Sequence, residues 1–323
     1  MKIFYGGDVN IGRRMHFIAG EIEQFIGLDE MAAADLRIVS LECVIATKGA
    51  QGIDKGEEAP NYLRARPEQT NILTKAGVDV VLTANSHAGD YGSEALLEQR
   101  EYLDTAGISY VGSGKNISEA FAPVYKKVGD MTVAIFSVDS TKKFFAATDK
   151  TPGIAYLPPD KPQLWKKSLA DKIREAHEKA DVVIVAVHWG EFNVAETSAQ
   201  VKQLGHLLID LGADVVLGSH SYLIHGVENY KERPIIYDAG IFLFDVLGKA
   251  RNGGCFTLEI SAAGVEKINF IPLIVGCGQT IKADAEQATE INENFIGLCN
   301  EFGTSATTWG GQCCRNIVQS AAA

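Results

Sequence analysis

The chain has 323 residues, 46% hydrophobic and 22% charged, a balance that supports a large buried core and argues against disorder. Its formal net charge of −11 disfavours nonspecific binding to nucleic acid or to an anionic membrane, both of which select basic patches. A polyanionic partner would need a metal or a local Arg/Lys cluster to offset that charge.

Met1-Lys2-Ile3-Phe4-Tyr5 runs straight into Gly6-Gly7-Asp8, without a charged n-region, an apolar h-region and a cleavage site. No apolar stretch approaches the roughly 20 residues of a membrane span. A soluble, cytoplasmic protein is therefore expected. In chain order, strands are expected at Lys2–Tyr5, Leu36–Leu41, Val78–Leu82, Thr132–Val138, Val182–Val187, Val215–Leu217 and Ile235–Tyr237. Between them, Arg66–Lys75, Ser93–Ala106, Lys161–Lys179 and Ser198–Leu211 have helical patterns. This alternation implies β-α-β units, much parallel pairing and an α/β fold. Gly49–Pro60, rich in glycine and charge, is expected to be a surface insertion. Cys255–Ile260 and Val265–Ile271 suggest a closing hairpin, and Ala283–Ile296 one more helix. Residues 1–275 are expected to form the main domain, with 276–323 a helical extension and tail packed on it. The six cysteines lack metal-ligand spacing and are expected to be mostly reduced thiols, the adjacent Cys313 and Cys314 included.

The chemistry gathers where the expected strands end. The first strand leads to Gly6-Gly7-Asp8-Val9-Asn10, the second to Ser40-Leu41-Glu42, and the third to Asn85-Ser86-His87 with Asp90. Later ends carry His188-Trp189-Gly190-Glu191 and Gly218-Ser219-His220-Ser221-Tyr222. Open α/β sheets place ligands at that edge. Carboxylates, an amide and imidazoles together suit one or two divalent cations. Any one of these clusters alone is equally a polar turn closing a strand.

In order, GDV-x-x-GR, S-LE, AN-x-H-x-x-DYG, HWGEF, G-x-H and YDAGIFLFD resemble the CapA family, associated with poly-γ-glutamate capsule synthesis. The resemblance runs from Lys2 to Asp245 and includes Tyr62-Leu63-Arg64-Ala65-Arg66-Pro67 and Gly112-Ser113-Gly114-Lys115-Asn116. It implies a four-layer αββα sandwich of the calcineurin-like metallophosphoesterase type. It also implies Asp8 and Glu42 on the metals, Glu42 as a possible bridge, and Asn85, His188 and His220 as ligands of a second ion. His87 would be an acid or base oriented by Asp90. Arg13 is either an anion clamp or one half of a surface ion pair. Trp189, Glu191 and His225 are candidate substrate contacts, with core packing the alternative for Trp189 and a structural role for His225.

Departures accompany the matches. The superfamily's GHxH stands here as Ser219-His220-Ser221-Tyr222, its D-x-H as Asp8-Val9-Asn10, and the family's GNF as Gly240-Ile241-Phe242. One metal position therefore keeps Asp8 and Glu42 with Asn10 or Tyr222, an oxygen-rich set suited to Mn²⁺, Mg²⁺ or Ca²⁺, or left empty. The histidine-rich position also suits Zn²⁺. Three functions fit these residues. The first is a metal-dependent hydrolase or transferase acting on an amide, γ-glutamyl or phosphoester bond of a peptide, polyglutamate or phosphoester substrate. The second is a peptide epimerase exchanging a Cα proton between His87 and Tyr222 or His225. The third is a noncatalytic assembly factor for polymer synthesis.

Overall fold

The computed structural model describes residues 1–18, 23–52, 55, 60–246, 249–304, 307–309 and 312–316. Two sheets form its centre. In the first, Ser109–Val111, Val80–Leu82, Leu36–Leu41 and Lys2–Val9 lie side by side in parallel, and Ile241–Leu243 also runs parallel to Lys2–Val9. The long antiparallel hairpin of Arg251–Ser261 and Gly264–Gly276 continues it, followed by Gln279–Lys282. In the second sheet, Met131–Asp139, Val182–His188, Val215–Ser219 and Arg233–Ile236 are parallel. Val124–Val128 and Val227–Tyr230 are its antiparallel edges.

Side-chain alternation along the strands creates the layers. Ile3, Tyr5 and Ile38 face Ile135, Ile184 and Leu217 across an inter-sheet core. Phe4, Val39 and Val81 point the other way, beneath Ile72, Leu73 and Leu103. On the second sheet's outer face, Phe136, Val185 and Val216 pack under Trp165, Leu169, Leu204 and Leu208. Those residues come from helices Pro162–His177 and Ala199–Asp210. Helix, sheet, sheet and helix thus stack as the αββα sandwich the resemblance implies. Val182–His188 reads as an unbroken apolar run because both of its faces are covered.

Several boundaries differ from the sequence expectation. The expected helix at Arg66–Lys75 opens as a 3-10 turn, Pro67–Gln69, and turns α-helical only over Thr70–Lys75. The Gln69 side chain sets that start, accepting from the Arg66 N–H at 2.8 Å and donating to the Ile11 carbonyl. Helix Ala285–Asn300 begins in a capping box in which Asp284 accepts from the Gln287 N–H (2.9 Å). Its Ile291, Phe295 and Cys299 belong to the inter-sheet core, and Phe295 stacks on Phe270 with ring centroids 4.0 Å apart. Gln312–Asn316 extends the first sheet through backbone pairing with Gly264–Gly276.

The sandwich matters for function because both parallel runs end on one edge. Register places Asp8 beside Ser40 and Ser40 beside Leu82, while Asp139, His188 and Ser219 lie level in the second sheet. The Tyr5 hydroxyl stitches the sheets together by donating to the Gly218 carbonyl (2.8 Å). Gly7, at φ 76°, permits the register shift between Tyr5 and Asp8 that turns the strand end into the site. A Cβ there would lie 2.5 Å from the Gly240 carbonyl oxygen.

Candidate metal centre and cleft

At the shared edge, Asp8, Glu42 and His188 each offer a ligand atom, and these atoms all lie within 4.8 Å of one another. All three side chains are buried. Asp8 Oδ2 accepts from the His220 backbone N–H across the sheets (3.2 Å). Glu42 Oε1 lies 3.3 Å from His188 Nδ1, which also lies 3.0 Å from Ser219 Oγ. The His188 and His220 rings stand 4.5 Å apart, and His220 holds an unfavourable φ of 119°. Asn85 is fixed by its Nδ2 donating to the Leu41 carbonyl (2.8 Å) and its Oδ1 accepting from the His87 N–H (3.0 Å).

A divalent cation fits this set. Asp8 Oδ1, His188 Nε2 and His220 Nδ1 are buried without hydrogen-bond partners, an expensive arrangement for structural polar groups. Burial, then Asp238, pushes the Asp8 carboxyl well up, and burial, then Asp8, does the same to Glu42. Burial, then His220, holds the His188 imidazole well below its ordinary value. Burial, then His87, pulls His220 down to about 3. Neutral imidazoles facing crowded carboxylates are the donor chemistry a divalent ion uses. His188, expected on a second ion, lies in the same group of ligand atoms as Asp8 and the possible bridge Glu42. Asn10 Oδ1 accepts from the Gly12 N–H (2.8 Å), as Asn85 Oδ1 does from the His87 N–H.

Above these groups opens a cleft of about 800 Å³, lined among others by His87, His220 and Tyr222. His87 Nδ1 lies 2.7 Å from Asp90 Oδ2, and His87 Nε2 lies 3.9 Å from Glu42 Oε2. Tyr222, at φ 66°, donates its hydroxyl to the same Glu42 oxygen (3.4 Å) and packs its ring against Phe192 and Phe244. Burial, then Glu42 and Asp8, pushes the Tyr222 phenol well up, so it remains a proton donor. Arg13, Arg14, Lys55, Lys142 and Arg251 line the cleft against the acids Glu191 and Asp245. This is a local basic cluster inside an acidic chain. Arg13 is tied to Asp245, through Nε at 3.0 Å and through a second guanidinium nitrogen, so the ion-pair alternative holds for it at the cleft wall.

Two expected substrate contacts do other work. Trp189 donates its indole N–H to the Tyr237 carbonyl (2.9 Å) and packs in the outer core. His225 bridges loops: Nδ1 lies 3.1 Å from Thr197 Oγ1, and Nε2 lies 3.1 Å from Ser221 Oγ and 3.0 Å from the Val194 carbonyl. Neither is among the residues lining the cleft.

Three residues escaped the sequence reasoning. Lys55, from the expected surface insertion, is 3% exposed, with Nζ 2.8 Å from Asp90 Oδ1 and 3.3 Å from His87 Nδ1. Asp139 accepts from the Thr141 hydroxyl (2.7 Å) and the Lys142 N–H (2.8 Å), fixing the turn that carries Lys142 to the cleft. Burial nevertheless raises Asp139 to about 6. Asp238 accepts from the Ser221 and Gly240 N–H groups, both at 2.7 Å, and so shapes the His220–Tyr222 turn. Asp139 and Asp238 sit at or just past strand ends, a signal the sequence carried; nothing in the sequence marked Lys55.

The chain is similar in sequence to known bacterial proteins. The family model described as bacterial capsule synthesis protein PGA_cap matches residues 2–246. The PGA biosynthesis protein CapA of Bacillus subtilis is 32% identical over 186 residues, 57% of this chain and 47% of that protein. The capsule biosynthesis protein CapA of Bacillus anthracis is 30% identical over 187 residues, 57% of this chain and 44% of that protein. A probable polyglutamine synthesis accessory protein of Mycobacterium tuberculosis is 27% identical over 224 residues, 68% of this chain and 58% of that protein. The matched region thus spans about half the length of the Bacillus relatives. A Thermus thermophilus crystal structure superposes with a TM-score of 0.43 at 11% identity, covering 79% of this chain and 92% of that one.

Proposed function

Since the chain belongs to the bacterial capsule synthesis protein family, we propose that it is a metal-dependent hydrolase or transferase acting on γ-glutamyl amide bonds. The observation that carries this is the buried Asp8, Glu42 and His188 group with orphaned donor atoms, set beneath a cleft rich in cations. Those three residues would hold the ion, with His220 and Asn85 as further donors. When bound, a divalent cation supplies Lewis-acid polarisation of a carbonyl and activation of water.

The protein's own groups do the rest. Asp90 orients the His87 ring through Nδ1, leaving Nε2 on the Glu42 side to carry a proton to the departing amine. Lys55 fixes Asp90 from its other oxygen. Arg14, Lys142 and Arg251 bind substrate carboxylates, offsetting the charge that the whole chain presents. Tyr222 donates a hydrogen bond at the Glu42 oxygen that His87 also approaches. A second function uses the same two groups, His87 and Tyr222, as paired acid and base exchanging a peptide Cα proton.

The test incubates Mn²⁺- or Zn²⁺-treated protein with poly-γ-glutamate, scoring new amine ends and, in D₂O, deuterium at Cα. New amine ends, lost about 10²–10⁴-fold in His87→Ala, are expected. Deuterium uptake without cleavage would select the epimerase; neither product with any divalent ion would refute both.

A further inference from the structure

A second cavity of about 460 Å³ adjoins the cleft, and Arg13 lines both. Its wall carries Arg13, Arg64 and Arg66 against one carboxylate, Glu68. In a chain with 41 acidic and 30 basic residues, that excess runs against the overall charge. Arg13 is committed to Asp245. Among the described residues, Arg64 and Arg66 form no ion pair. The Arg64 guanidinium instead lies over the Tyr91 ring, 4.2 Å from its centroid, a contact that holds the group without engaging a carboxylate.

The segment's alternation explains the arrangement. Leu63 and Ala65 are buried while Arg64 and Arg66 are exposed, and side chains two apart on an extended chain share a face about 7 Å apart. The Arg64–Ala65 strand is held by parallel pairing with Val44–Ile45. Two further bonds fix it to the metal centre's surroundings. The Leu63 N–H donates to Asp90 Oδ2 (2.6 Å), and the Arg13 N–H donates to the Arg64 carbonyl (3.4 Å). The arginine pair is therefore held in register with His87, one cavity away.

We propose that Arg64 and Arg66 form a second anion subsite, which takes oxoanion groups of an extended ligand whose neighbouring unit occupies the main cleft. It rests on the proposed function only for what occupies that cleft; the subsite itself is read by binding, without turnover. Carboxylate and phosphate share the recognising chemistry, bidentate acceptance from a guanidinium fork.

The test titrates the full chain calorimetrically with a γ-linked glutamate hexamer, with hexameric polyphosphate and with free glutamate, at two salt concentrations. One or both hexamers are expected to bind at least about tenfold tighter than glutamate through two-point attachment. Arg64→Gln/Arg66→Gln should remove that advantage and flatten its salt dependence, leaving glutamate affinity unchanged. Arg64→Lys/Arg66→Lys should restore part of it. The hexamer that loses more in the Gln variant identifies the anion. Both side chains are exposed, so the thermal midpoint should stay within about 2 °C of wild type. Undiminished binding of both hexamers by the Gln variant would overturn the subsite, as would equal loss of hexamer and glutamate binding. A Mn²⁺- or Zn²⁺-treated wild type that binds the γ-linked glutamate hexamer through these arginines without cleaving it would refute the hydrolase and leave the subsite standing.

Discussion

Replacing Lys55 with methionine removes a buried cation and leaves its partner behind. Lys55 Nζ lies 2.8 Å from Asp90 Oδ1, with the two side chains 1% and 0% exposed. Breaking such a pair on one side costs about 3–5 kcal/mol, because the remaining charge stays desolvated. Two neighbours soften the loss here. The Leu63 N–H still donates to Asp90 Oδ2 (2.6 Å), and His87 Nδ1 lies 2.7 Å from the same oxygen. Lys55→Met is therefore expected near the low end, at about 3 kcal/mol. Asp90→Asn, which leaves the ammonium beside the Asn61 carbonyl (3.0 Å), the His87 ring and the faces of Tyr62 and Phe145, should cost at least as much. The double variant strands neither charge, so urea unfolding should give a coupling energy of about 2 kcal/mol in a double-mutant cycle. Additivity within about 0.5 kcal/mol would refute the pairing and, with it, the assignment of Lys55 as the residue that fixes Asp90 beside His87.

Further outcomes are expected from the same geometry. Mn²⁺ added to chelator-treated protein at 100 times its dissociation constant should stabilise it by about 2.7 kcal/mol, read as a raised thermal midpoint. Asp8→Asn should abolish that rise, while His87→Ala keeps it and loses turnover; a rise unaffected by Asp8→Asn places the ion elsewhere. Glu98 is lowered to about 2: burial pushes it up, but hydrogen bonds from the Thr47 hydroxyl, the Lys48 and Thr47 N–H groups and the Tyr102 hydroxyl prevail. A depressed carboxylate stabilises the fold above its unfolded value of about 4.5, and that contribution fades as pH falls toward 2. Wild type should accordingly exceed Glu98→Gln by up to roughly 3 kcal/mol at pH 7, with the gap closing below pH 4.5 in urea titrations. A gap independent of pH would mean that packing, not charge, distinguishes the two.

Side-chain alternation explains both what was legible in the sequence and what was not. Fully covered strands such as Val182–His188 announce themselves as apolar runs, and their polar ends announce the edge where Asp8, Glu42 and His188 meet. Val124–Val128 was missed because the edge strand carries Lys127 on its exposed face and the half-buried Lys126 on the other, breaking the apolar pattern. Lys55 was unreadable for a different reason. Its partners lie 32 and 35 positions away, and a lysine in a glycine-rich, charged stretch looks solvated until the tertiary fold buries it. Trp189 could have been placed correctly. It follows His188 directly, so if the histidine faces the site, the next side chain points to the opposite face and into the outer core. The same rule, applied to Leu63-Arg64-Ala65-Arg66, sends two arginines outward together. What it cannot supply is the surface opposite them. Only the bonds from Leu63 to Asp90 and from Arg13 to Arg64 turn an alternating tetrapeptide into a cationic wall beside Asp90 and His87.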